Sequence, residues 1–507
     1  MGGERAQRTQ DVELVEVEPD GGPSAVAGRP EGEAGRPAPV RVGWRRRYRW
    51  WLASGLVVLV GVTPSVVHAV QERVRLAQLA GVTGIAAPID GPVHERWSVD
   101  ATFQALGEVG GDLIGTVRSG TGVPTVRGID ATTGAVRWSF QVAVPGTWGG
   151  GCVLTDGPVS GQDKAVLACL VVDEAQLAPA GDSSLGPPAK VHLATLDPRT
   201  GAVLGTVRAD PLDTIAALGS DVAIASHQTG PTGGESTVRR WDPRTGTVAW
   251  TARHPDPPGG GGSSTGIQES GGVLLVQNMG EVWEVSASGT ELRSWSGLST
   301  DGVYSLWRTA GGHVLRATYV QVAAPPEDAT VSTYVVTDGT AVITDLGENT
   351  TFRLAYQNSV LATVDDGSAP DLLLVAGSDP VAYDLRTGHV IWRVHHGIDA
   401  FVVLDGTVYA VGAGTVSAID ARTGATRWTA HHSFSASPAM LATDGRSLIV
   451  MSTPAGSSVS TVEALDLENG TVTWTSTLSQ GFDALEVVGG RLAVLSYTEA
   501  GRLTVLG

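Results

Sequence analysis

The chain has 507 residues, 42% of them hydrophobic and 17% charged, with a net charge of −18. That acidity gives no support for nucleic-acid binding and suits an exposed domain kept soluble by self-repulsion. Lysine occurs only at Lys164 and Lys190 while Arg, Ala, Gly and Val abound, the bias of a high-GC, actinobacterial source.

Residues 1–43 are rich in Gly, Pro and Glu and almost free of aromatics. They cannot bury enough apolar surface to fold alone, so a disordered cytoplasmic tail is expected. Within it, DVELVEVEPD (Asp11–Asp20) alternates acidic and apolar residues. It reads as a solvated acidic stretch, with strand addition to a partner's sheet as the alternative.

Residues 44–75 combine a basic flank with an apolar run. Trp50–Val70 is 21 residues without a charge, about 31 Å as a helix and long enough to span a hydrocarbon core. Arg41, Arg45, Arg46, Arg47 and Arg49 precede it; only Arg73 and Arg75 follow closely. The positive-inside rule then puts the N-terminus in the cytoplasm and the remainder outside, held by a single-pass signal-anchor. Cleavage after Val67-His68-Ala69 is the alternative. Residues 76–90 read as a linker.

From residue 91 to 507 a ten-residue phrase recurs. It reads IDATTGAVRW at Ile129–Trp138, WDPRTGTVAW at Trp241–Trp250, YDLRTGHVIW at Tyr383–Trp392, IDARTGATRW at Ile419–Trp428 and LDLENGTVTW at Leu465–Trp474. Leu196–Gly205 keeps the turn and loses the Trp. Asp130, Asp197, Asp242, Asp384, Asp420 and Asp466 are placed to accept backbone N–H bonds, as an Asx-turn does. Gly134, Gly201, Gly246, Gly388, Gly424 and Gly470 supply the positive φ of the hairpin. Trp138, Trp250, Trp392, Trp428 and Trp474 put one large ring at the same place in each unit, as regular packing between neighbouring sheets requires. Gly280–Trp295 and Ser332–Leu346 read as degenerate units.

Two further strands precede each phrase, as in Phe401–Asp420, giving four short strands per about 40–50 residues. The β-branched, Gly and Thr content excludes a helical solenoid. The expected fold is therefore all-β, a β-propeller of four-stranded blades. Eight blades of about 52 residues fill the span, and seven or nine also fit. The chain ends on strands with no outer strand after them, while Trp97 in HERWSVD belongs to no unit. A strand near Trp97 is expected to complete the last blade and remove the open edges.

The phrase resembles the tryptophan-docking motif of quinoprotein-like (PQQ-like) β-propellers, A-x-D-x-x-T-G-x-x-x-W, rings built like the WD40 propellers. Ala382, Ala418 and Ala464 match its leading Ala. The resemblance covers roughly residues 91–507 and implies that each Trp packs against the motif of the next blade. The enzymes of that family hold pyrroloquinoline quinone and calcium on the ring axis, many with an adjacent Cys–Cys pair over the quinone. Cys152 and Cys169 are separated, and no C-x-x-C-H haem signature is present. No cofactor is expected, PQQ with calcium being the alternative. No zinc, P-loop or nucleophile-elbow motif occurs.

Cys152 and Cys169 flank a predicted hairpin centred near Ser160–Gly161, which sets them opposite each other. Export permits a disulfide, and two buried free thiols are the alternative. His254, His396 and His432 each follow the Trp of their blade by four residues, a shared rim position where imidazoles bind a metal or titrate near neutral pH; inheritance of a repeat position is the alternative. DDGSAPD (Asp365–Asp371) reads as an acidic turn. Glu174–Lys190, His254–Gly266 and Val322–Thr330 are long loops of the kind that carry binding on rigid scaffolds.

The reading adopted is a non-catalytic, membrane-anchored extracytoplasmic propeller that binds or scaffolds proteins of the bacterial cell envelope. It resembles the BamB-type scaffold propellers, with a transmembrane helix in place of a lipid anchor. A PQQ-dependent dehydrogenase and a sensor relaying extracellular binding to a cytoplasmic partner are the competing classes.

Overall fold

The computed structural model describes Val70 and residues 72–507, apart from 80–81, 83, 101, 119–122, 145–149, 157–164, 176–187, 231–232, 256–264, 279, 299–302, 320–339, 349, 356–361, 413, 432–439, 454–456 and 498–500. The tail, the basic flank and the apolar run up to Ala69 lie outside the described residues. Among the described residues no helix is long and apolar enough to cross a membrane. The chain divides into two compact units, 1–71 and 72–507.

The second unit is all-β apart from a helix at 72–79. Its strands form nine sheets. Taken as blades in chain order they span 102–141, 152–209, 214–255, 266–295, 303–355, 364–393, 400–431, 440–477 and 484–506. In each regular blade four antiparallel strands lie in sequence order. First strands of neighbouring blades approach one another, so they line the middle of the ring.

Burial follows position in the blade. Thr407–Gly412, a second strand, is buried at every residue, because other blades cover both faces of its sheet. Val203–Ala209, an outermost strand, has no fully buried residue. The core falls into nine clusters, and each bridges two consecutive blades. Val402 and Leu448 join blades 7 and 8, and Leu113 with Val505 joins blades 1 and 9. That last pair closes the ring.

Closure uses the strand the sequence led us to expect. Glu95–Val99 pairs antiparallel with Arg502–Leu506, Trp97 opposite Val505. His94 and Gly507 exchange backbone hydrogen bonds of 3.3 and 3.0 Å. The blades number nine among the described residues, one of the two alternatives to the eight first expected. The eight units before the closing one each carry a turn between third and fourth strands. The ninth has none, because its fourth strand comes from the other end of the chain.

Blade 6 departs from the pattern. Val364–Asp365 has left its own sheet and pairs parallel with Val402 and Val403 of blade 7. Three strands, Leu372–Val375, Val381–Asp384 and Val390–Arg393, remain. The acidic turn secures the transfer. Asp366 accepts from Asp405 N at 2.7 Å and Ser368 Oγ accepts from Gly406 N at 2.7 Å.

Strand direction gives the ring two faces. The phrase turns and the turns joining first to second strands share one, here called the turn face. The other strand connections lie on the opposite face. The described residues of 72–93, which include most of the linker expected over 76–90, lie as a strap across the turn face. Leu79 is buried among Val364, Val402 and Leu441. Arg75 binds Asp405 at 3.0 Å. Ala86 N donates to Thr443 O and Ala87 N to Gly490 O, at 2.8 and 2.7 Å. The strap thus ties blades 6 to 9 at their inner turns.

Candidate functional site

The repeat residues hold the blades to one another. Asp130 Oδ1 accepts from Thr132 N and Thr133 N at 2.9 and 2.8 Å. Asp384, Asp420 and Asp466 make the same pair of bonds. Asp197 and Asp242 accept from Arg199 N and Arg244 N. Gly134, Gly201, Gly246, Gly388, Gly424 and Gly470 have φ between 68° and 74°, a region where a side chain is strained. The Arg137 guanidinium draws the Asp130 carboxyl well below the usual carboxylate range. Arg427, helped by Thr423, lowers that of Asp420 to about 2.

Four of the five repeat indoles reach the turn of the next blade. Trp138 Nε1 donates to Pro198 O at 3.1 Å, Trp250 to Ala287 O at 3.0 Å, Trp392 to Ala421 O and Trp428 to Leu467 O, both at 2.9 Å. The rings lie flat on the turn glycines: a Cβ on Gly201 would stand 2.6 Å from Trp138, and one on Gly470 2.5 Å from Trp428. Trp97 does the same from the closing strand, donating to Ala131 O at 3.1 Å against Gly134. Trp474 faces the closing blade, which has no such turn, and its Nε1 has no partner among the described residues.

Three junctions lack the indole. Gly205 stands opposite Thr195, as Trp138 stands opposite Gly128, and the next turn glycine, Gly246, has open space above it. Between blades 4 and 5 the position belongs to Arg293. Its Nη2 donates to Gly312 O at 3.0 Å, and its Nε donates to the buried Glu284 at 2.6 Å, which Arg308 meets from the other side at 3.1 Å. Thr350 meets Gly388 between blades 5 and 6.

Cys152 and Cys169 face each other in register and form a disulfide. Their Cα atoms are 4.1 Å apart, just under the range usual for disulfides. The flanking bond, Leu170 N to Gly151 O, makes theirs the non-hydrogen-bonded pairing, in which antiparallel strands approach more closely.

His254 and His396 do not come together. His254 stacks on Trp283 at 5.1 Å and contacts Glu291 and Glu281 at 3.1 and 3.4 Å. His396, three blades away, lies 3.4 Å from Ser417 Oγ. His432 lies outside the described residues. Among the described residues no three His, Cys, Asp or Glu side chains group closely enough to hold a metal ion.

The structure adds a cavity that the sequence did not announce. It encloses about 510 Å³ at blades 2, 3 and 4, with Leu306 of blade 5 at its edge. Gly150–Val153, Pro211–Ile215 and Gly266–Gln268 line it, where first strands begin, on the side opposite the strap. Asp213 sits in its wall with a side chain 1% exposed. Burial raises the Asp213 carboxyl above its ordinary value, partly offset by Ser226 and the Asp210 backbone. Its one sequence signal is the missing Trp at Gly205, which marks an irregular junction beside it.

The sequence of residues 377–506 matches the family described as outer membrane protein assembly factor BamB. No curated protein matches the chain by sequence. Among solved structures, BamB from Moraxella catarrhalis aligns at 15% identity over 82% of this chain and 99% of that one, with a TM-score of 0.36. A eukaryotic initiation factor aligns at 11% identity over 78% and 91%, with a TM-score of 0.42. A europium-containing methanol dehydrogenase aligns at 13% over 82% and 93%, with a TM-score of 0.36. In the repeat carried by residues 377–506, this propeller is similar to the BamB family.

Proposed function

We propose that the chain is a non-catalytic, membrane-anchored extracytoplasmic propeller that binds or scaffolds proteins of the bacterial cell envelope. The observation that carries this is where the polar motif residues act. Their Asp, Gly and Trp groups are engaged in turns and blade junctions, leaving a rigid ring. The strands flanking the three long loops, Ala175 and Pro188, Pro255 and Gly266, Tyr319 and Thr340, all end on the opposite face. Binding commonly resides on loops held by such a scaffold. Anchoring rests on the uncharged run Trp50–Val70 and its arginine flank.

One feature supports the non-catalytic reading over a quinone site. Cys152 and Cys169 bridge neighbouring strands rather than forming the adjacent pair that many of the dehydrogenases carry.

Protease added to intact spheroplasts is expected to remove the propeller and leave a membrane-held fragment of about residues 1–80. A fully protected propeller would overturn the topology. Stoichiometric PQQ binding with calcium, accompanied by dye-linked alcohol or sugar oxidation, would overturn the non-catalytic reading.

A further inference from the structure

The phrase turns of blades 2 and 3, Asp197–Gly201 and Asp242–Gly246, have the same five residues, DPRTG. They also have the same shape. Gly201 N donates to Asp197 O at 2.8 Å and Gly246 N to Asp242 O at 2.9 Å, and the two glycines have φ of 68° and 72°. On the first turn lies the indole of Trp138, its Nε1 donating to Pro198 O. The second is bare among the described residues: a Cβ on Gly246 would meet no atom within 4 Å. The other phrase glycines are covered, Gly134, Gly201, Gly424 and Gly470 by indoles and Gly388 by Thr350.

The facing strand of blade 2 shows what the missing ring uncovers. Side chains two apart on a strand share a face. Val207 follows Gly205 by two, as Ala252 follows Trp250 and Val394 follows Trp392. Ala252 and Val394 are 8% and 7% exposed beside their indoles, whereas Val207 is 44% exposed. Gly205, Val207 and the turn at Gly246 therefore bound an apolar notch. Pro243 O holds the place in this turn that Pro198 O holds under Trp138.

We propose that this notch seats a tryptophan side chain from an exposed segment of another protein, with the ring on Gly246 and Val207 and the indole N–H on Pro243 O. An indole combines a wide apolar face with a single N–H donor, which is why it anchors many protein interfaces. Every Trp among the described residues is buried or half-buried, so the described ring has none to lend to a second copy. The proposal deepens the scaffold reading and rests on it for the occupant being a protein. The notch's own preference for an indole is measured without it.

The purified full-length chain is titrated by valine-methyl NMR with the blocked pentapeptide Gly-Gly-Trp-Gly-Gly and with its phenylalanine and 1-methyltryptophan counterparts. The Trp peptide is expected to move the Val207 methyl resonances and to bind about five- to tenfold tighter than the methylated one, which cannot donate. Gly205→Trp, which seats a ring from the chain itself, is expected to abolish binding. Val207→Glu is expected to do so without adding a ring, and Gly205→Ala, which leaves the notch open, to retain it. If no peptide binds, if the three bind alike, or if binding survives either blocking variant in folded protein, the notch is no indole seat. In the native host, a benzoylphenylalanine photo-crosslinker in place of Leu204 is expected to join the chain to another protein, and to lose that adduct when Gly205→Trp is added. No adduct, an adduct with a second copy, or one indifferent to Gly205→Trp would overturn the partner while the peptide result stands.

Discussion

Blades 6 to 9 and 1 form one arc of the ring, and blades 2 to 5 form another built differently. In the first, Trp392, Trp428 and Trp97 lie on the turn glycines of the blades they face and bond to the backbone there. The strap reinforces that arc from the turn face. In the second, Gly205 and Arg293 occupy indole positions, and the described apolar cluster between blades 4 and 5 reduces to Leu275, Val282, Val314 and Leu346 with a few partly buried neighbours. The cavity lies in this arc. A repeat closes a ring wherever it is kept; where it is relaxed, space opens that the chain can put to other use.

The comparison breaks most readily at an indole. Trp392→Ala removes a buried ring and its bond to Ala421, and should cost about 3–5 kcal/mol. Chemical denaturation measures this, and a loss under 1 kcal/mol, taken as about the value of a surface change, would show that the turn contact contributes little. Next in size is the disulfide. Cys152→Ala with Cys169→Ala should cost up to about 3 kcal/mol, as a short closed loop does. Unchanged stability would mean that hairpin pairing alone holds the wall. In the opposite direction, Gly205→Trp places a ring over the open Gly246 and replaces a strand glycine. A gain of about 1 kcal/mol is expected, read as a higher melting temperature, and a fall would show that blades 2 and 3 have no room for it.

The smallest effect is electrostatic and has opposite signs in the two arcs. Asp420, held at about 2 against an unfolded value of about 3.9, stabilises the fold above about pH 4, and that contribution is lost as pH falls toward 2. Asp213 is raised by burial, so stability falls as pH climbs from its unfolded value of about 3.9 to the raised folded value, and stays lowered above it. Asp420→Asn should therefore lower the melting temperature at pH 7 and leave it unchanged near pH 2. Asp213→Asn should raise it at pH 7 relative to pH 3. Melting curves in which both variants shift the same way at neutral pH would remove this distinction.

The regular arc was legible because each blade repeats one local device. An Asp, a Gly four residues on and a Trp eight residues on fix turn, register and junction together, so a short phrase predicts a long-range contact. Trp97 and the Cys152–Cys169 register were legible for the same reason, being unfilled places in a known pattern. Blade 4 was faint because Ser286 replaces the Asp, its Oγ accepting from Thr290 N at 3.1 Å. The transfer of the first strand of blade 6 had no signal, because its parallel pairing with blade 7 is secured by side chains of a turn, which no strand periodicity encodes. The cavity left only the missing Trp at Gly205 as a mark: its lining residues Val153, Ile215 and Ile267 come from different blades, and no local pattern brings them together.

The closing strand also sets an order of events. Glu95–Val99 is made before any blade, yet its partner Arg502–Leu506 lies at the far end of the chain. Pairing across such a separation carries the largest loop-closure cost in the ring and is formed late. Blades 1 to 8 can assemble on their neighbours as they emerge, since domains begin folding from the N-terminal side during synthesis. Until residue 506 appears, the ring stays open at blade 9, with two unpaired strand edges and Trp97 without its completed sheet. A nascent or truncated chain is thus a different physical object from the finished one, sticky at its ends, and loss of only the last six residues would hold it there.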